Sequence, residues 1–125
     1  MFRILSRLCV PALVLVACLP ACSGAQSRKA SFVAQAEKHL AAHDWQKARL
    51  DLANALQIDP KDTKLQFMQA QVAEKIGEYN EAASRYQALL DQDKGNIEVR
   101  ASLARLYAGG GLADEAIKLA EEGLA

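Results

Sequence analysis

Beyond position 22 the sequence has no cysteine: Cys9, Cys18 and Cys22 are the only three in 125 residues. The remaining hundred or so positions can therefore hold neither a disulfide framework nor a cysteine metal site. Aromatic residues make up only 6% of the chain, too few to build stacking platforms for bases. A surplus of one charge is missing as well, since fifteen Lys and Arg balance fifteen Asp and Glu, and nothing advertises a phosphate backbone as partner. No apolar run reaches the roughly 20 residues that a membrane-spanning helix needs. The run Gly109-Gly110-Gly111 lacks the spaced glycines and lysine of a phosphate-binding loop. Nor does a serine or cysteine nucleophile come with a recognisable base. The chain is accordingly read as non-enzymatic, with no cofactor, no metal, no nucleic acid and no small-molecule substrate.

What the sequence does have is alanine and leucine, which dominate its 51% apolar content. Neither loses much rotamer freedom in a helix, so the expected fold class is all-α. At 13.5 kDa there is room for one modest domain.

The cysteines mark the start of the chain. Met1 to Arg7 carries Arg3 and Arg7 and no acid, and Leu8 to Leu19 is an apolar run broken only by Pro11 and the thiols. A basic segment followed by an apolar run of about 12 residues is the layout of a secretory signal. Its end resembles the bacterial lipobox, in which an aliphatic residue and two small residues precede a lipidated cysteine. Leu19-Pro20-Ala21-Cys22 fits with an atypical proline, and Leu15-Val16-Ala17-Cys18 fits letter for letter. Cys22 is favoured because small polar residues follow it, with Cys18 as the alternative. The resemblance implies a signal peptide over 1–21, a tether over 22–28 and an acylated Cys22, whose several chains would hold the product on a membrane far better than one. Cleavage removes Arg3 and Arg7 and leaves thirteen basic against fifteen acidic residues. Ser23-Gly24-Ala25 also suits ordinary signal peptidase, which would release a soluble periplasmic product cut before Gln26.

From Lys29 onward the chain repeats itself every 34 residues. Asp44-Trp45-Gln46-Lys47-Ala48 aligns with Glu78-Tyr79-Asn80-Glu81-Ala82 and with Leu112-Ala113-Asp114-Glu115-Ala116. The series Ala36, Ala70, Ala104 and Leu56, Leu90, Leu124 keep the same spacing. The pattern resembles tetratricopeptide repeats, whose 34-residue unit is a pair of antiparallel helices. The resemblance implies an α-solenoid of about three units, at 29–62, 63–96 and an incomplete 97–125. Ala36, Ala70 and Ala104 would let the second helix of each unit approach the first, and Ala48, Ala82 and Ala116 would do the same from the second helix. Trp45 and Tyr79, then Leu52 and Tyr86, would fill the space where units meet. Pro60 ends the first unit. Its counterpart is Lys94, which predicts a less sharply fixed turn, and Phe32 and Gln66 stand where the repeat family has tryptophan. The third unit has no closing turn and no polar capping helix, whereas solenoids need polar caps. That predicts either a longer array or a last helix paired with something else. His39 and His43 are four apart, but no further ligand cluster accompanies them, and both are read as packed or solvated side chains.

The family's working surface is the concave one, lined by the first helix of each unit. Its register implies a partner groove of Val33 and Glu37, then Lys64, Phe67, Gln71, Glu74 and Lys75, then Glu98, Ala101 and Arg105. Val33 and Glu37 stand where the chaperone-binding members hold a carboxylate with Lys and Asn, so that ligand is not expected. The implied function is a protein-binding scaffold that takes a peptide or helix, carried by a lipoprotein of the bacterial envelope. Ser23 is not the aspartate that retains lipoproteins at the inner membrane, so the expected place is the outer membrane facing the periplasm. Assembly of a secretion, pilus or exopolysaccharide machine is the expected task, and the layout most resembles the repeat lipoproteins of exosortase systems. An adaptor for an envelope protease or peptidoglycan enzyme, or the first part of a longer array, are the alternatives.

Overall fold

The computed structural model describes residues 20–125, with side chains from Ser23 onward. Cys18 and the expected signal segment up to residue 19 lie outside the described residues, as does the side chain of Cys22. Six helices and no strand are found among the described residues: α1 Pro20–Ala41, α2 Trp45–Ile58, α3 Thr63–Lys75, α4 Tyr79–Gln92, α5 Ile97–Gly109 and α6 Ala113–Leu124. Each packs on its neighbours in sequence, α1 on α2, α2 on α3, and so to α6, which is the layered stacking of an all-α solenoid. The stretch 22–28, expected as a tether, forms the first turns of α1.

The helix ends recur with the same period as the sequence. Asp62 and Asn96, 34 apart, each accept the backbone N–H of the residue three on, Leu65 and Val99, both at 3.1 Å. These are N-caps, which satisfy a donor that the first helical turn leaves orphaned. Inside the units the chain turns through His43, Gly77 and Gly111, with φ of 57°, 85° and 81°. This left-handed conformation suits glycine, and histidine adopts it at some cost.

The turn at Lys94 is as sharp as the one at Pro60. Helix α2 ends at Ile58 and α4 at Gln92, again 34 apart. Where proline stops the first, Asp93 Oδ1 accepts from Gly95 N–H at 3.0 Å in a side-chain turn. The residues at the family's tryptophan position then tie each turn down. Gln66 donates to the Pro60 carbonyl at 2.6 Å, and Arg100 donates to the Lys94 carbonyl at 2.6 Å and to Leu119 O at 3.0 Å.

The core forms two clusters in series. Ala36, Ala48, Leu52, Ala55, Leu65 and Val72 make the first, while Ala70, Ala82, Tyr86, Leu90, Val99 and Leu103 lead the second. Ala36, Ala48, Ala70 and Ala82 are fully buried, as the small-residue argument requires. Ala104 and Ala116 are half-buried among the described residues. Tyr79 departs from expectation. It is 59% exposed and does not fill an inter-unit space, whereas Trp45 is half-buried. His39 Nδ1 lies 2.7 Å from Asp51 Oδ2 and joins α1 to α2, so its role is structural.

Candidate partner-binding groove

Helices α1, α3 and α5 present their free faces side by side, and the register places the expected groove residues along them. Glu37, Lys64, Gln71, Lys75, Glu98, Ala101 and Arg105 are exposed, while Val33, Phe67 and Glu74 are half-buried. Val33 packs against the first core cluster and serves as wall more than contact surface.

Four of these residues converge. Gln71, Glu74 and Lys75 from the last turns of α3, with Arg105 from α5, line a cleft of about 420 Å³ whose other walls are Leu40, Trp45 and Val72. Lys64, Phe67 and Glu98 line a smaller depression of about 260 Å³ where α3 and α5 begin, together with Asn96 and Val99. The two lie at opposite ends of α3. Glu37 lines neither. A third indentation, about 380 Å³, adjoins the first, shares Glu74 and Arg105 with it, and is walled by Tyr79, Leu106, Gly109 and Gly110.

Glu74 is held from both sides. Tyr86, fully buried in α4, donates its hydroxyl to Glu74 Oε2 at 3.1 Å. Arg105 reaches across from α5 to both carboxylate oxygens, at 3.2 and 3.3 Å. Burial, and then the Glu74 charge and hydrogen bond, push the Tyr86 hydroxyl far above the usual phenol range, so it stays a donor. Phe67 packs on Tyr86 with ring centroids 5.7 Å apart, which turns an expected ligand contact into partial support for this arrangement. The anion at the centre of the groove is thereby neutralised. The side chains of Lys64, Lys75, Glu37 and Glu98 make no ion pair or hydrogen bond among the described residues, and they are the charges left for a partner.

Sequence reasoning missed Leu40, Trp45 and Tyr79 as cleft walls. The available signal was the aromatic pair 34 apart at the start of α2 and α4. Trp45 is further fixed by the edge of His43, with centroids 5.1 Å apart. Among the described residues no cluster of three or more His, Cys, Asp or Glu could hold a metal ion.

No curated protein matches the sequence. Among solved structures, two crystal structures of MamA resemble the chain with TM-scores of 0.70 and 0.69, each at 22% identity over 77% of this chain. The chain spans about half the length of those MamA chains, 56% and 52%. An arginine-to-glutamate mutant of MamA resembles it with a TM-score of 0.64 at 14% identity, covering 84% of each chain. Residues 75–125, which are α4 to α6 with the turn before them, match the tetratricopeptide repeat profile. In sequence over those residues, and in fold over the whole described array, the chain is similar to tetratricopeptide repeat proteins: it is an all-α solenoid of that type.

Proposed function

We propose that the chain is a non-enzymatic scaffold whose concave face takes a peptide or helix of a partner protein. The observation that carries this reading is the cleft between α1, α3 and α5. There Gln71 and Lys75 stand free beside the neutralised Glu74 and Arg105 pair, over an apolar floor of Leu40, Trp45 and Val72. A few polar groups around an apolar floor suit an extended or helical segment, with Lys64, Lys75, Glu37 and Glu98 as the charges it would match. Photo-crosslinking in intact cells from residue 71, with Ser84 on the exposed side of α4 as control, tests it. A partner captured from 71 and not from 84 is expected; equal capture from both sites overturns the groove.

The setting proposed is the bacterial envelope, with the mature protein anchored through acylated Cys22 on the outer membrane and facing the periplasm. It would support assembly of a secretion, pilus or exopolysaccharide machine. The support is the lipobox-like Leu19-Pro20-Ala21-Cys22 after a basic and apolar start. Cys22→Ser should release the protein from membranes and Cys18→Ser should leave it bound. Release by the second change alone would move the anchor to Cys18.

A further inference from the structure

The charges of Glu74 and Arg105 cancel, but their hydrogen bonding does not. Arg105 uses only Nη2 on Glu74, at 3.3 Å from Oε1 and 3.2 Å from Oε2. Its Nε and Nη1 make no hydrogen bond among the described residues. With the side chain 64% exposed, they can meet a second carboxylate, the planar partner that a guanidinium suits. Glu74 is already satisfied, held by the Tyr86 hydroxyl from one side and by Arg105 from the other. The face that carries these donors is not one that a following unit covers. Glu37 and Gln71, at the register position of Arg105, stay exposed although further helices follow each of them.

Two more donors stand on the same rim. Gln71 and Lys75 lie about one turn apart on α3, both exposed, and neither side chain makes an ion pair or hydrogen bond among the described residues. Lys75 and Arg105 face Glu74 alone across the cleft, a surplus of one positive charge. The depression at the other end of α3 differs, since Lys64 shares its walls there with Asp93 and Glu98. A carboxylate is therefore favoured most at the Lys75 end. Below the rim the cleft is apolar, with Val72 buried and Leu40 and Trp45 half-buried. Val33 and Glu37, where the chaperone-binding members of the family hold a carboxylate, take no part.

We propose, resting on the groove reading above, that this cleft is a paired subsite for one large apolar side chain and one carboxylate of the same partner helix. The apolar side chain enters between Leu40, Trp45 and Val72. A glutamate or aspartate about one turn away from it is held by Lys75, Arg105 and Gln71. Apolar contact supplies most of the attraction, and the acid selects the partner and fixes how it lies.

Trp45 is the only tryptophan in the chain, so its emission reports on this cleft. The test titrates the intact chain with three tryptophan-free helical peptides of about 14 residues, roughly four turns. The first carries a phenylalanine with glutamates one turn to either side, the second has glutamine for those glutamates, and the third has alanine for the phenylalanine. The first should bind saturably, change the Trp45 emission and weaken with salt. The other two should bind about tenfold or more weakly, a difference of about 1.4 kcal/mol. The double change Lys75→Gln with Arg105→Gln should remove the preference for glutamate over glutamine, with little effect on the thermal melt because both side chains are exposed. Lys64→Gln should leave all three affinities unchanged. Equal binding of the glutamate and glutamine peptides, or a preference that survives the loss of Lys75 and Arg105, overturns the proposal. So does the absence of binding by all three peptides; a partner still captured by crosslinking from residue 71 would then leave the groove itself standing.

Discussion

Replacing Ala82 with leucine tests the packing that makes the units stack. Ala82 is fully buried in α4, in the same cluster as the fully buried Ala70 of α3. Three added carbons have no cavity to enter, so α4 must move off α3 or the new side chain must leave its preferred rotamer. Such overpacking costs about 1–3 kcal/mol. For an array of this size each kcal/mol lowers the melting temperature by roughly 4–8 °C. The matched change is Ala116→Leu, in the same register position of α6. Ala116 is only half-buried among the described residues, so the cost should stay below about 1 kcal/mol. Far-UV circular dichroism melts of the two variants and the parent measure both. An unmoved melt for Ala82→Leu would show the register to be wrong, and equal losses would show that the last unit is as tightly enclosed as the middle one.

Gly77→Ala meets no atom within 4 Å, so its cost is the left-handed backbone alone, about 1–2 kcal/mol by chemical denaturation. His43→Gly at the matching position should change stability by less than about 0.5 kcal/mol, because relief of backbone strain is offset by greater freedom in the unfolded chain and by the lost Trp45 contact. Tyr86→Phe removes one of the donors on Glu74 and should cost about 0.5–1.5 kcal/mol by chemical denaturation, with the Arg105 pair to Glu74 kept. Because folding raises the Tyr86 ionisation, the stability it contributes is complete below its ordinary value of 10.0 and declines as pH rises beyond it. Absorbance titration should therefore find one of the three tyrosines ionising only with unfolding. Lys29 lies 2.7 Å from both Asp59 and Asp62. Burial opposes the charge on Asp62, but the Lys29 ammonium and the Leu65 and Lys64 N–H groups outweigh it and hold the carboxyl below its usual range. A lowered value contributes stability above the ordinary 3.8 that is lost as pH falls through the folded value. The melting difference between parent and Lys29→Gln should thus be present at neutral pH and close under strong acid; a gap that persists there would refute the ion-pair origin.

The period, the fold class and the buried alanines were legible because each rests on a position whose neighbours recur in every unit. Tyr79 was not, although it shares its register position with Trp45. Register fixes where a Cα lies, but cover depends on the side chains of the next unit. Trp45 is walled by Val72, Glu74 and Lys75 at the end of α3. At the matching end of α5 the chain reads Ala108-Gly109-Gly110, so Tyr79 meets Leu106 and two bare glycines and stays open. The Lys94 turn was misjudged for a related reason. Proline is visible in a sequence, whereas the Asp93 side-chain turn and the reach of Arg100 to the Lys94 carbonyl exist only once α5 and the turn are brought together. The groove shows the same limit. Spacing placed Glu74 and Arg105 on one face, but only the fold shows that they neutralise each other over the Tyr86 hydroxyl. The groove therefore presents Lys64 and Lys75 of α3 as its free cations, with Glu37 of α1 and Glu98 of α5 as its free anions on either side. A partner segment that fits it carries charges of both signs, with acids about three helical turns apart to meet the two lysines along α3 and bases to meet the two glutamates.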